Sequence, residues 1–228
     1  MFSEDSNKAY YQVIAYLIDE IREKRIKKGD KLPTERELSV FLNVSRASVR
    51  EAYKVFHALG LVVNLPGSGT YVKDEIDEWL SEPMEIIFKL SGIKLEEVFE
   101  FRKMIEVETA TLAAKSITES ELTQLTECYE NLLNAENEIE KSKYDKRFHY
   151  IIAKASKNHI IFNSYNAMST MLEVFTYDIR ATTLKMEGEG VLEKLHKDIY
   201  LSILNRDQEK ARKSMKAHMN MISKYFQQ

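Results

Sequence analysis

Residues 29–72 read GDKLPTERELSVFLNVSRASVREAYKVFHALGLVVNLPGSGTYV, and this stretch decides the fold. Thr34 stands three residues before Glu37, the spacing at which two side chains cap each other's backbone N–H groups, so a helix begins near Thr34. Leu38, Phe41 and Leu42 share one of its faces, leaving Arg36 and Glu37 outside. Asn43 and Val44 make a tight connection to Ser45, a good N-cap. From there a second helix buries a stripe of Val49, Ala52, Val55, Phe56 and Leu59, and Gly60 stops it. The β-type runs 61–63 and 70–72 then flank Pro66, Gly67, Ser68 and Gly69, a turn rich in residues that permit unusual backbone angles.

Two short capped helices followed by a glycine-tipped hairpin make a winged helix-turn-helix. The second helix exposes its first turn, carrying Arg46, Ala47, Ser48 and Arg50 away from the apolar stripe. An arginine fork can grip guanine O6 and N7 together, and small neighbours let a helix sink into the major groove. Taken singly, Arg36, Arg46 and Arg50 are solvated helix surface. Joined to the caps and the hairpin they read as a surface for double-stranded operator DNA, with Arg36, Ser45, Arg46, Ser48 and Arg50 on bases and phosphates. Gly67 and Gly69 form a wing tip beside a minor groove. Upstream, Arg22, Lys24, Arg25, Lys27, Lys28 and Lys31 cluster where a first helix ends; they suit phosphates, or equally a solvated terminus favoured by the helix dipole.

Composition bounds the rest. The chain has 228 residues, 44% hydrophobic and 30% charged, enough for two modest domains. Residues 1–75 hold 12 Lys and Arg against 11 Asp and Glu, so the overall charge of −3 lies in the remainder, and any affinity for nucleic acid rests on local placement. A single cysteine, Cys128, excludes an internal disulfide and a cysteine-rich zinc finger. MFSEDSNKAYY has no export-signal pattern, and no apolar run reaches membrane-spanning length; the expectation is a cytoplasmic protein with no membrane partner.

Tyr10, Val13, Ile14, Leu17, Ile18 and Ile21 repeat at helical spacing ahead of the motif, and helical patterns alone follow Asp74. The fold class is therefore mainly α: a winged helix-turn-helix at 1–75 with a small β-hairpin wing, a linker or first helix at 76–92, and an all-α antiparallel bundle at 93–228. Helices are predicted near 76–90, 95–115, 119–140, 142–155, 159–186, 191–204 and 207–226.

The histidines are the clue to the bundle. Asp145 and His149, four apart, project from one face of one helix. His196 lies ten residues before Arg206 in a connecting turn and His218 twelve after, so a helical hairpin brings them to ~15 and ~18 Å from its bend at 1.5 Å per residue. Three imidazoles and a carboxylate suit a divalent ion, Zn²⁺ or Ni²⁺ foremost, with Mn²⁺ or Fe²⁺ also accommodated. The alternative is that each is a hydrogen-bonded core or surface residue. His57 and His159 are read as structural.

The segment LPTERELSVFLNVSRASVREAY with the later GSGTYV is similar to the GntR superfamily of bacterial transcription regulators. The second half resembles its FCD branch: Asp145, Phe148, His149 and Asn158 match one part of the pattern, and His196 in EKLHKDIYLSIL and His218 in ARKSMKAHM match the rest. The resemblance implies a homodimer that binds operator DNA and holds a metal at Asp145, His149, His196 and His218 in a pocket for a small carboxylate effector. It places Arg102 against that carboxylate, although Arg102 can instead pair with Glu106 four residues on. A repressor released by its effector is the expected behaviour, and linkage equally allows an effector that tightens DNA binding. Two other readings stay open: a metal-dependent hydrolase-like domain, disfavoured because no carboxylate motif is assigned as general base or acid, and a metal that is a purely structural staple.

Overall fold

The computed structural model describes residues 9–73, 83, 86–87, 90–188 and 190–226. The chain divides into two compact units, Met1–Pro83 and Met84–Gln228. Most of the helix predicted at 76–90 lies outside the described residues.

In the first unit, helices α1 (Ala9–Arg22), α2 (Glu35–Leu42) and α3 (Arg46–Ala58) precede strands β1 (Val62–Leu65) and β2 (Gly69–Val72). Thr34 and Glu37 cap each other as their spacing requires, with Thr34 N–H donating to Glu37 Oε2 at 2.8 Å and Glu37 N–H to Thr34 Oγ1 at 3.2 Å. Asn43 ends α2 in the left-handed region, φ 54°, which its short polar side chain tolerates. Ser45 caps α3 and Gly60, φ 67°, follows its end. Val13, Leu17, Leu32, Leu38, Val49, Ala52, Phe56, Val62 and Val72 form one core.

The buried stripes differ from the predicted ones. Phe41 is 67% exposed, lying against the Tyr16 ring at 5.3 Å between centroids, while Ser39 is buried in its stead; Leu59 is 39% exposed. Both lie at the margin of their helix's apolar face, where a small rotation moves a side chain outside. The wing is also longer than predicted. Leu65 pairs with Gly69, so the strands run one to two residues further and the turn shrinks to 66–68, closed by Ser68 N–H on Leu65 O at 2.9 Å. Gly67 takes φ 73° at its tip. On its other edge β2 pairs with the approach to α2, through Leu32 N–H on Thr70 O at 2.8 Å and Val72 N–H on Asp30 O at 2.9 Å.

The second unit consists, among the described residues, of helices α4 (Leu95–Ser116), α5 (Glu119–Asn134), α6 (Glu138–Ala155), α7 (His159–Glu187), α8 (Val191–Leu204) and α9 (Gln208–Phe226). Ala110, Ala113 and Ala114 on α4 are fully buried, and their small side chains let neighbours approach closely; α4 packs on α6, α7, α8 and α9. Phe148, Ile152, Tyr165, Met168, Ile199, Ile203, Met215 and Met219 complete the core. The break predicted at 141 falls at 135–137. Asn137 accepts the Glu140 N–H at 3.0 Å, an N-cap at the same three-residue spacing as Thr34 and Glu37. No helix among the described residues is long and apolar enough to cross a membrane.

Leu38→Ala is expected to cost about 2–5 kcal/mol in urea unfolding, as for other buried leucines. Phe41→Ala, on the margin, should cost less than about 1 kcal/mol. Equal losses would restore Phe41 to the core.

Candidate metal centre and nucleic-acid interface

The exposed surface of α3 starts at its cap. Ser45 Oγ accepts the Ser48 N–H at 3.0 Å and lies 2.8 Å from Ser48 Oγ, so both hydroxyls are held at the helix start. Arg46, Ala47 and Arg50 are exposed beyond it, and Arg36 is exposed on α2. Arg50 is not loose: Nε and Nη2 donate to the two carboxylate oxygens of Glu35 at 2.8 and 2.7 Å, and Arg46 Nη2 lies 4.0 Å from the same carboxylate. Arg50 holds the Glu35 carboxyl below its ordinary pKa. Glu35 therefore orients the arginine face, a role invisible in sequence because it stands fifteen residues from Arg50. Gly67 sits at the wing tip in open space; Gly69 opens β2 against Lys31, where an added Cβ would come within 2.6 Å of Lys31 Cε. In the upstream basic cluster, Arg22 pairs with Asp19 at 3.0 Å and Arg25 with Glu20 at 2.9 Å, which spends part of its charge internally.

In the helical unit the predicted histidines converge. His149 from α6, His196 from α8 and His218 from α9 are all buried, with one ring nitrogen of each within 4.8 Å of the others. The α8–α9 hairpin achieves this by register: the His196 and His218 rings lie 4.7 Å apart, and His149 and His218 stack at 4.9 Å. Asp145, one turn before His149, places Oδ1 2.8 Å from His196 Nε2.

Outer partners set which nitrogen faces the centre. His196 Nδ1 lies 2.7 Å from Leu192 O, and a carbonyl can only accept, so Nδ1 carries the hydrogen and Nε2 is left inward. His149 Nδ1 closes on Glu106 Oε2, from α4, in the same manner. Glu106 is buried and also takes Arg102 Nε on Oε1 at 2.5 Å. Burial opposes its charge, but Arg102 and His149 hold its pKa down at about 2. Burial pushes His149 down and Glu106 more than compensates, leaving it raised. His218 is driven well below its ordinary value, first by burial and then by the neighbouring His196 and His149. Asp145 is held well below its ordinary value as His196 and Arg180 outweigh its burial.

The donor set fits a divalent cation. His218 Nδ1 and Nε2 and His149 Nε2 are buried with no hydrogen-bond partner among the described residues. Orphaned buried polar atoms cost about 1–3 kcal/mol each, and a cation among them relieves that cost. Neutral imidazoles with one carboxylate are borderline donors suited to zinc or nickel.

Arg102 and Arg180 both line the adjoining cavity, together with Phe99, Leu192 and Met219. Its free space is about 20 Å³, little more than the ~10–15 Å³ one water needs. The Arg102–Glu106 ion pair and the cavity placement thus hold together. Sequence reading missed Glu106 as a partner of His149 and missed Arg180 entirely. The second donates Nη1 to Asp145 Oδ1 at 2.8 Å from 35 residues away, a contact with no local signature.

The family model for bacterial regulatory proteins of the gntR family matches residues 9–72, and that for the FCD domain matches residues 97–221. The chain belongs to the GntR family. Its C-terminal unit is that family's FCD domain, carrying three buried histidines able to hold a metal ion. It is 29% identical to the HTH-type transcriptional regulator YcbG of Bacillus subtilis over 92% of this chain and 87% of that one. Against LutR, an HTH-type transcriptional regulator of the same organism, identity is also 29%, covering 91% and 98%. Streptococcus agalactiae GntR shares the fold with a TM-score of 0.74 at 23% identity, covering 94% of this chain and 99% of that one. Regulators of this family act by binding rather than by turnover.

Adding Zn²⁺ or Ni²⁺ to chelator-stripped protein is expected to raise Tm, because only the folded state gathers the ligands. His218→Ala should abolish the rise, and Glu106→Gln should weaken metal affinity by roughly 10–100-fold through the misoriented His149. Calorimetric titration of the metal reads both.

Proposed function

We propose that the chain is a cytoplasmic, ligand-responsive repressor that binds operator DNA as a homodimer and senses a small organic acid at a metal in its FCD domain. The observation that carries the reading is the buried cluster of His149, His196 and His218 beside two arginines, in a chain whose other unit is a DNA-binding fold. Arg46, Ser48 and Arg50 would meet base edges and phosphates in the major groove, with Ser45 and Arg36 beside them and the Gly67–Gly69 tip at the minor groove. Glu35 keeps the Arg50 fork in one orientation, which limits the entropy lost on docking.

In the bundle, Asp145, His149, His196 and His218 would hold the ion, and Glu106 and Leu192 O would orient two of the imidazoles. When bound, the ion supplies positive charge and an open position for one carboxylate oxygen. Arg102 stands on the cavity wall to take the other oxygen. Because the described cavity holds little more than a water, an entering acid has to part the helices around it, and that displacement is what two half-sites at fixed separation can register. The small cavity also suits a metal that only staples the helices. The two readings part over whether an acid changes DNA affinity.

Fluorescence anisotropy of labelled operator, titrated with small carboxylic acids with and without chelator, tests the proposal: one acid should weaken DNA binding by about 5–150-fold, only in metal-loaded protein. Affinity unmoved by every acid would leave the staple. Arg46→Ala should reduce operator affinity by roughly tenfold or more and relax base preference, whereas a phosphate contact alone would reduce the salt slope by about one.

A further inference from the structure

A single oxygen, Asp145 Oδ1, has two neighbours at 2.8 Å: Arg180 Nη1, which donates to it, and His196 Nε2, which faces it without a hydrogen to give. The oxygen facing the imidazoles is thus the one a guanidinium already occupies. Arg180 is 6% exposed, lines the cavity, and among the described residues is otherwise held by Glu138, whose Oε2 takes Nε and Nη2 at 3.3 Å each. Those are long bonds for a charged pair, so the tight anchor of Arg180 is Asp145. Arg102, by contrast, is engaged with Glu106 on its own helix at 2.5 Å.

We propose that Arg180 couples the acid to the metal: its guanidinium competes with the cation for Asp145 Oδ1, and a small monocarboxylate entering the cavity draws the guanidinium away and frees that oxygen. The proposal rests on the acid-sensing reading above and adds its regulation. A planar fork of donors matches a carboxylate better than a single shared oxygen does, so the exchange is favourable for Arg180. The charges around the cavity point to a monoanion. Among the described residues Arg102 and Arg180 pair with Asp145, Glu106 and Glu138, leaving one negative charge, while Lys141, 3.8 Å from Glu138, is balanced by Glu193 at 3.2 Å. A divalent cation overshoots that charge by one, and one carboxylate restores neutrality, which burial rewards. Displacing Arg180 also enlarges a space that otherwise holds about 20 Å³. Linkage then makes the effect mutual: acid tightens metal binding and metal tightens acid binding by the same factor.

The test measures Zn²⁺ affinity of the full-length protein by competition with a chromophoric chelator, alone and with acetate, pyruvate or L-lactate. Arg180→Gln should bind Zn²⁺ at least tenfold more tightly than wild type without acid, because the competitor is gone. Acid should tighten Zn²⁺ binding in wild type and leave the variant unmoved. A merely structural arginine predicts the opposite, weaker Zn²⁺ binding on its loss. Should Arg180→Gln not fold, the pair Arg180→Gln with Glu138→Gln removes one charge of each sign and is expected to show the same tightening. A folded variant that binds Zn²⁺ no more tightly, or that answers acid as wild type does, overturns the coupling and leaves acid sensing standing. Wild type that binds Zn²⁺ but ignores all three acids sinks the sensing reading and this one with it.

Discussion

The helical unit is organised around ionisable groups shut away from water. Asp145, Glu106, Arg180, His149, His196 and His218 are all nearly fully buried, drawn from α4, α6, α7, α8 and α9. Isolated burial of any one would be prohibitive, so each is tolerable only where the others stand. The five helices must therefore meet in one register. The alanines of α4 permit the close approach, and the apolar layer of Phe148, Ile199 and Met215 fills the space around the polar centre. Pairing is incomplete at His218, whose two nitrogens find no hydrogen-bond partner among the described residues. In structural proteins such an orphan is rare; at a ligand site it is expected.

The DNA-binding unit is built on the opposite economy, from short-range interactions. A capping box, a left-handed asparagine, a serine cap and a glycine stop bound two helices of 8 and 13 residues that could not persist alone. Their stability comes from packing on α1 and on a hairpin tied along its far edge to residues 29–32. Glu35 adds a longer-range constraint on the arginine face, and it belongs to the first turn of α2, so the two helices share the task of presenting Arg50.

What sequence reveals follows that division. Helix starts in the first unit were legible because Thr34–Glu37 and Ser45 act within one turn. The same signal stands at Asn137–Glu140 and marks the true start of α6, a few residues before the predicted break. The meeting of His196 with His218 was legible because a hairpin converts sequence distance into height. Phe41 and Leu59 were misplaced because periodicity fixes a face but not its edge. The contacts of Glu106 with His149 and of Arg180 with Asp145 join different helices, and no periodicity encodes a bond spanning 35 residues. Partners such as Glu106 and Arg180, which reach the centre with no motif or hairpin register to place them, are recovered only once the packing is known.

The length of α7 has a mechanical consequence. It runs 29 residues from an asparagine cap, a rigid rod of roughly 44 Å at 1.5 Å per residue, with Arg180 some 32 Å from its start. Pivoting at the capped end through about 3° would carry that position about 1.7 Å, comparable with the gap between a made and a broken hydrogen bond. A long lever of this kind translates angle into contact, and on the proposed coupling a modest tilt of α7 would be enough to move Arg180 from Asp145 toward an entering acid.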